Sequence, residues 1–306
     1  MAINSARKAA NIRNMFSIKV VCLALVSFTA VSFEVVVTES TDWTEAGEFT
    51  TGIEGPAVNK AGELFAVNYQ SQGTIGRVTG KNEIEKYLDL PDGSVGNGIR
   101  FDQAGNMYIA DYVNHNILKV AQGSKEIDVY AHSSEMNQPN DIAIMENGIL
   151  FASDPNWAEN TGNLWRIDLN GDVVLLESGM GTTNGIEVSP DNERLYVNES
   201  IQRKIWVYDL SPEGEISNKR LFVSFDDFGL DGMRTDNKGN LYIARYGAGF
   251  VLAFDPSGKL IHKIQLKGDF PTNVAFGGKD GKQVFVTMQK RGSIETFQNN
   301  IPGRNY

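Results

Sequence analysis

The sequence predicts an all-β protein, a six-bladed β-propeller of four-stranded antiparallel blades. Three observations carry that expectation. A hairpin pattern recurs six times, the copies are nearly evenly spaced, and two more strand-like runs follow every hairpin but the last. The hairpin is clearest in LDGMRTDNKGNLYIARYG, residues 230–247. There an Asp-Gly opens an alternating run, Asn-Lys-Gly-Asn reverses the chain, and Leu-Tyr-Ile-Ala returns as a strand. The six copies begin at Glu54, Asn97, Asn140, Asn184, Asp231 and Asn273, separated by 43, 43, 44, 47 and 42 positions. A period of about 40 to 45 residues filled with strands and turns marks a propeller blade.

The chain opens on a different kind of segment. Residues 1–33 carry Arg7, Lys8, Arg13 and Lys19 and no acid, and the apolar run from Val20 to Phe33 follows. A basic segment, an apolar stretch of this length and small residues after it read as a secretory signal peptide, with a cut after Ala30, or as an uncleaved N-terminal anchor. Either reading predicts export to a periplasmic or extracellular compartment. Cys22, the one cysteine, lies in this leader, so the exported chain would have no disulfide. Residues 34–306 are then expected to form one propeller domain.

Composition suits that division. The 306 residues are 41% hydrophobic with 31 glycines, enough apolar material for a core and enough glycine for its turns. Lys and Arg total 28 against 38 Asp and Glu, a net charge of −10, and removing the leader's four basic residues leaves −14. That balance excludes an unselective nucleic-acid surface. No membrane partner is expected beyond the N-terminal anchor, and nothing in the sequence calls for more than a monomer.

Within each repeat the turn falls eight residues after the first residue, at Gly62, Gly105, Gly148, Asn192, Gly239 and Gly281. Asn tolerates positive φ best after Gly, so the fourth copy obeys the same backbone rule. The sixth repeat has only three strand-like runs. Residues 42–50, which precede the first hairpin, are expected to supply the missing outer strand and close the ring.

Each blade therefore places one polar side chain at the entry to its first strand, and six of them should converge on the axis. Glu54, Asn140, Asn184 and Asp231 are oxygen donors, two of them anionic, and such a set suits Ca2+, with Mg2+ or Mn2+ as alternatives. Asn and Asp at strand entries also serve simply to bond neighbouring backbone. Glu54 argues for the ligand role, because Glu gains nothing local in a turn. A second ring lies 14 residues after each entry: Asn68, Asp111, Asp154, Asn198, Arg245 and Thr287. If the returning strand is antiparallel to the first, this ring faces the same end and could touch substrate. Asn97, Asp154, Trp157 and Arg245 are the substrate-contact candidates. Arg245 could hold a substrate oxygen or form an ion pair with a nearby acid, and Trp157 could wall a sugar ring or pack on its own loop. His115, His132 and His262 fall outside the six entries, and no Gly-x-Ser-x-Gly elbow is present.

The segments PNDIA (139–143), FASDP (151–155), TNGIEVSPD (183–191), LDGM (230–233) and PTNVAFGG (271–278) resemble the gluconolactonase, regucalcin and diisopropylfluorophosphatase family of six-bladed propellers. The likeness runs from about Glu54 to Met288 and is strongest to bacterial gluconolactonase-type proteins. It implies a divalent metal on the axis, usually calcium with Mg2+, Mn2+ or Zn2+ as alternatives. Glu54, Asn140, Asn184 and Asp231 match its ligands, and Asp231, if one of its oxygens stays free of the metal, is the best general base for a bound water. It further implies an exported metal-dependent hydrolase of a sugar lactone or related cyclic ester. Regucalcin-like members carry an arginine against the lactone where this chain has Gln138, a departure that bears on aldonolactone recognition and not on fold or metal. Organophosphate or aryl-ester hydrolysis on the same scaffold is an alternative. So is a binding ring without chemistry, since residues 97–120 also resemble an NHL repeat, and strictosidine-synthase-like propellers are a more distant likeness.

Overall fold

A computed structural model of the protein describes residues 35–304. The expected leader lies outside the described residues. The six repeats form six antiparallel sheets, over residues 49–89, 96–132, 142–180, 183–224, 233–265 and 271–298. In each, the strand that opens the repeat is innermost and the later ones step outward. The turns follow the spacing of the sequence: Gly62, Gly105, Gly148, Gly239 and Gly281 have φ between +70 and +95°, and Asn192 has +59°. In the fifth repeat Asp236 Oδ1 accepts hydrogen bonds from the Lys238 and Asn240 amides at 2.9 and 3.0 Å, which fixes that turn through bonds local in sequence.

The core is divided into six apolar layers, one between each pair of neighbouring blades. The layer between the last blade and the first joins Ala275, Phe285 and Ile294 to Ile53, Leu64 and Ala66, so the ring is closed by packing as well as by pairing. Second strands such as Leu64–Tyr69 and Met107–Asp111 are buried throughout, and outer strands such as Glu83–Asp89 are mostly exposed.

Ring closure uses less of the N-terminal segment than the sequence suggests. Only Thr41–Asp42 pairs with the last strand, opposite Thr296 and Glu295, whereas Phe49 and Thr50 already belong to the first blade. The short strand is held by charge. Asp42 is paired with Arg291 at 2.7 Å and with Lys267, and the buried Glu295 accepts from Ser40 Oγ at 2.5 Å. Just before it, Val36–Glu39 lies parallel to the outer strand Leu260–Gln265 of the fifth blade, which makes that sheet five-stranded and covers its edge.

On the axis the inner strands nearly touch. A Cβ on Gly55 would lie 2.0 Å from the Asn97 carbonyl oxygen, one on Gly185 2.3 Å from that of Asp231, and one on Gly232 1.9 Å from Asn273 Cγ. These glycines each follow an entry residue, and each gives room to the entry residue of the next blade. Gly232→Ala is therefore expected to cost about 1–3 kcal/mol, the usual range for overpacking a filled interior. Urea denaturation read by tryptophan fluorescence measures it, and an unchanged midpoint would contradict the close approach.

Candidate functional site

The entry residues converge at one end of the axis on a cavity of about 430 Å3. Glu54, Asn97, Asn140, Asn184 and Asp231 line it, and Asn273 lies below them, 1% exposed. Each is positioned by backbone. Asp231 N donates to Ala244 O at 3.0 Å, Gly232 N to Thr272 O at 2.7 Å, and Gly98 N to Asn140 O at 2.8 Å. Asn97 Nδ2 also donates to Asn140 O, at 3.0 Å.

Glu54 and Asp231 face each other on the floor as buried carboxyl groups. Burial, and then the nearby Asp141, push Glu54 up to about 7 against the lowering effect of the Gly55 amide. Burial and the facing Glu54 raise Asp231 well above the usual carboxylate range, although Asn184 donates to it. Beside them, Asn140 Oδ1 is buried without a hydrogen-bond partner. Two carboxylates that repel each other and an amide oxygen with no donor form a floor that lacks a positive charge. A divalent cation would fit that deficit, with the carboxylates and the amide oxygens of Asn140 and Asn184 as donors. No three His, Cys, Asp or Glu side chains gather into a metal-binding cluster among the described residues; the donor set here is mixed carboxylate and amide.

The second ring does different work from that expected. Asp154 is fully buried and does not line the cavity; it accepts from Asn137 N and from Trp165 Nε1, both at 2.8 Å. Asp111 accepts from Ser94 Oγ at 2.7 Å, Asn198 Nδ2 donates to Asp231 O at 2.6 Å, and Thr287 Oγ1 accepts from Asn273 N at 3.1 Å. These side chains latch the entry segments to the returning strands, and of the ring only Asn68 lines the cavity. Arg245 is also corrected as a substrate contact. Of the two roles open to it the ion pair is formed, with Asp227 at 2.9 Å, and its guanidinium lies 3.7 Å from the centroid of the Phe225 ring. Trp157 and Gln138 do line the cavity, together with Gln72, Tyr112, Tyr246 and Gln289.

Beneath the floor runs a chain of buried charges that the sequence reading missed. Asp141 pairs with Arg100 at 3.2 Å and with Arg234 at 3.6 Å; Glu187 pairs with Arg100 at 3.6 Å and with Arg304 at 3.3 Å. Asn273 Nδ2 links this chain to the floor, donating to Asp141 Oδ2 and Glu54 Oε2 at 3.2 Å each. Burial and the neighbouring Arg100 lower Arg234 to about 10, which leaves it charged at neutral pH. A signal was present: Asn97-Gly-Ile-Arg100, Asn184-Gly-Ile-Glu187 and Asp231-Gly-Met-Arg234 each put one charge into an inner strand three residues after its entry.

Residues 53–290 match the family model described as the SMP-30/Gluconolactonase/LRE-like region. A gluconolactonase of Zymomonas mobilis is 28% identical over 216 residues, 62% of this chain and 60% of that enzyme, so the chain spans under two thirds of that relative's length. The diisopropyl-fluorophosphatase of Loligo vulgaris is 25% identical over 84% of this chain and 91% of its own. Among solved structures, a calcium-binding regucalcin of Agrobacterium tumefaciens superposes with a TM-score of 0.76 over 89% of this chain and 97% of that one, at 19% identity, a likeness of fold.

Two outcomes follow from the floor and the charges below it. Glu54 and Asp231 hold protons more tightly when folded than when unfolded, so stability is fully present below the ordinary carboxyl value, 4.5 for Glu54, and falls as pH rises through about 7. Chelator-treated protein should therefore melt at a lower temperature at about pH 8 than at about pH 5, and excess Ca2+ should remove most of the difference. A flat profile without metal would contradict the carboxyl pair. Asp141→Asn strips one partner from Arg100 and Arg234 and should cost about 3 kcal/mol by chemical denaturation, the low end for a broken buried pair because Arg100 keeps Glu187.

Proposed function

The chain belongs to the SMP-30/gluconolactonase/LRE-like family, and from that premise we propose that it is a metal-dependent hydrolase of a lactone, a sugar lactone or a related cyclic ester. One observation supports this reading above the others. Glu54 and Asp231 meet as buried carboxyls on the floor of the axial cavity, beside an Asn140 oxygen that has no donor. The ion would be held by Glu54, Asn140, Asn184 and Asp231, and their all-oxygen character favours Ca2+ over Zn2+. When bound, such an ion supplies Lewis-acid polarisation of an ester carbonyl and a lower pKa for water.

The chain's own residues would do the rest. Asp231 would take the proton of the attacking water through an oxygen that stays free of the ion, as a carboxylate general base. Water would add to the carbonyl carbon, the ring C–O bond would break, and the proton would pass to the departing oxygen, giving the open hydroxy acid. Asn97, with its nitrogen tied to the Asn140 carbonyl, is rigid enough to orient a bound ring. Hydrolysis of a phosphoryl ester is a second reading of the same floor, suggested by the likeness to the Loligo vulgaris enzyme over most of both chains. Export is proposed on the sequence of residues 1–33.

Calorimetric titration of chelator-treated protein with Ca2+ tests the site. One ion per chain is expected, with Asp231→Ala and Glu54→Gln each weakening binding more than about 10-fold, the least that loss of even a supporting partner usually costs. Acid release from gluconolactone, followed with a pH indicator, should need the ion and should drop at least about 100-fold in Asp231→Ala. Absence of binding by Ca2+, Mg2+, Mn2+ and Zn2+ would sink the hydrolase and leave a propeller that binds a partner.

A further inference from the structure

The wall of the cavity differs in kind from its floor. Gln72, Tyr112, Gln138, Trp157, Tyr246 and Gln289 form it, and among the described residues no Lys, Arg or His lines the cavity. Its only charged side chains are the two acids of the floor. An anionic substituent on a substrate would therefore meet no countercharge from the wall.

Around one side of the mouth stand four exposed apolar side chains: Val113 (43% exposed), Trp157 (42%), Ile201 (45%) and Phe228 (53%). They come from cavity-end segments that follow one another round the ring. Val113, Trp157 and Ile201 follow the second strands of the second, third and fourth blades, and Phe228 lies in the connection from the fourth blade to the fifth. Each adjoins the wall. Val113 follows Tyr112, Ile201 follows the wall residue Ser200, and Trp157 is itself wall. The Phe228 ring lies over Gly247, next to Tyr246, where an added Cβ would come within 3.2 Å of Phe228 Cδ1. The other large exposed apolar side chains are elsewhere, on outer strands (Val129, Leu175, Leu221), at the N-terminal edge or on an opposite-end turn (Leu169).

Phe228 carries a second, independent sign. Its φ is +48°, a left-handed conformation that a bulky side chain adopts only with strain, and more than half of the residue is exposed, so packing within the chain returns little. Strain held at an exposed aromatic beside a cavity points to a ligand that covers it.

We propose that the cyclic ester accepted here is uncharged and carries an apolar alkyl or aryl substituent, which lies on the Val113, Trp157, Ile201 and Phe228 side of the mouth. The inference rests on the hydrolase reading and narrows its substrate class. Water is the only co-reactant: it adds across the ring ester bond and the substituent stays on the product. Burial of each methylene on this rim raises kcat/KM by at most about fourfold, the value for full transfer out of water.

The test uses the full chain loaded with Ca2+ and a series of δ-lactones whose ring substituent lengthens from methyl to pentyl, beside a lactone bearing a carboxylate. The expected result is a rise of kcat/KM of about twofold or more per added methylene, up to that ceiling, with the carboxylate-bearing lactone the poorest substrate. Phe228→Asn, which suits the left-handed backbone, should melt no lower than the parent yet lower the pentyl-to-methyl ratio, and Trp157→Ala should lower it further. A flat series with the methyl lactone still hydrolysed would overturn this inference and leave the hydrolase standing. A ratio unchanged in both variants would also overturn it. Hydrolysis of no lactone by Ca2+-bound protein would overturn both.

Discussion

The rest of the structure depends on how closely six inner strands approach at the axis. Gly55, Gly98, Gly185 and Gly232 each lie against the entry residue of the following blade at distances that leave no room for a Cβ. That contact fixes the entry side chains relative to one another through main chain, without help from loops. It also buries side chains such as Asp141 and Asn273, so charge placed beside them is felt at low effective dielectric.

Desolvation explains the two arrangements of charge along that axis. Below the floor the charges are mutual: Asp141, Glu187, Arg100, Arg234 and Arg304 pair in a connected chain, and each arginine also donates to backbone carbonyls such as Ile99 O, Pro56 O and Ile144 O. On the floor the charges have the same sign and no such partner. A fold that pairs Asp141 and Glu187 with arginines on one side of Asn273, and leaves Glu54 facing Asp231 on the other, has placed an electrostatic deficit where a ligand can reach it. Buried like charges raise proton affinity in the absence of a cation, which is the direction found for both.

How much of this could be read from the sequence depends on what each feature rests on. Blade number, turn positions and the ring of entry residues were legible because they are backbone properties: a left-handed residue eight positions after each entry admits Gly or Asn and little else. The second ring was misread because polarity at a strand end looks the same whether the side chain points to a ligand or ties down its own chain. Asp154 is the instructive case, with every bond directed inward to Asn137, Gln138 and Trp165. The axial ion chain was missed because Arg100, Glu187 and Arg234 are single charges in apolar strands, and pairs such as Arg100 with Glu187 join residues of different blades. The short closing strand was overestimated because residues 42–50 read as one strand, whereas the chain pairs first with the sixth blade and then with the first.

The latches also set a boundary between what is fixed and what is free. Asn68, Asp111, Asp154, Asn198 and Thr287 fasten the returning strands to the entry segments just above the floor. Segments beyond them bear Val113, Trp157 and Ile201, whose exposed side chains can change at little cost to the packing beneath. Gln138 sits on this boundary: its amide is held by Asp154 at 2.5 Å while the residue lines the wall. A charged side chain there would be delivered into the cavity by the same latch. A neutral one makes the wall uncharged on that side, and the electrostatics of recognition then fall to the floor alone.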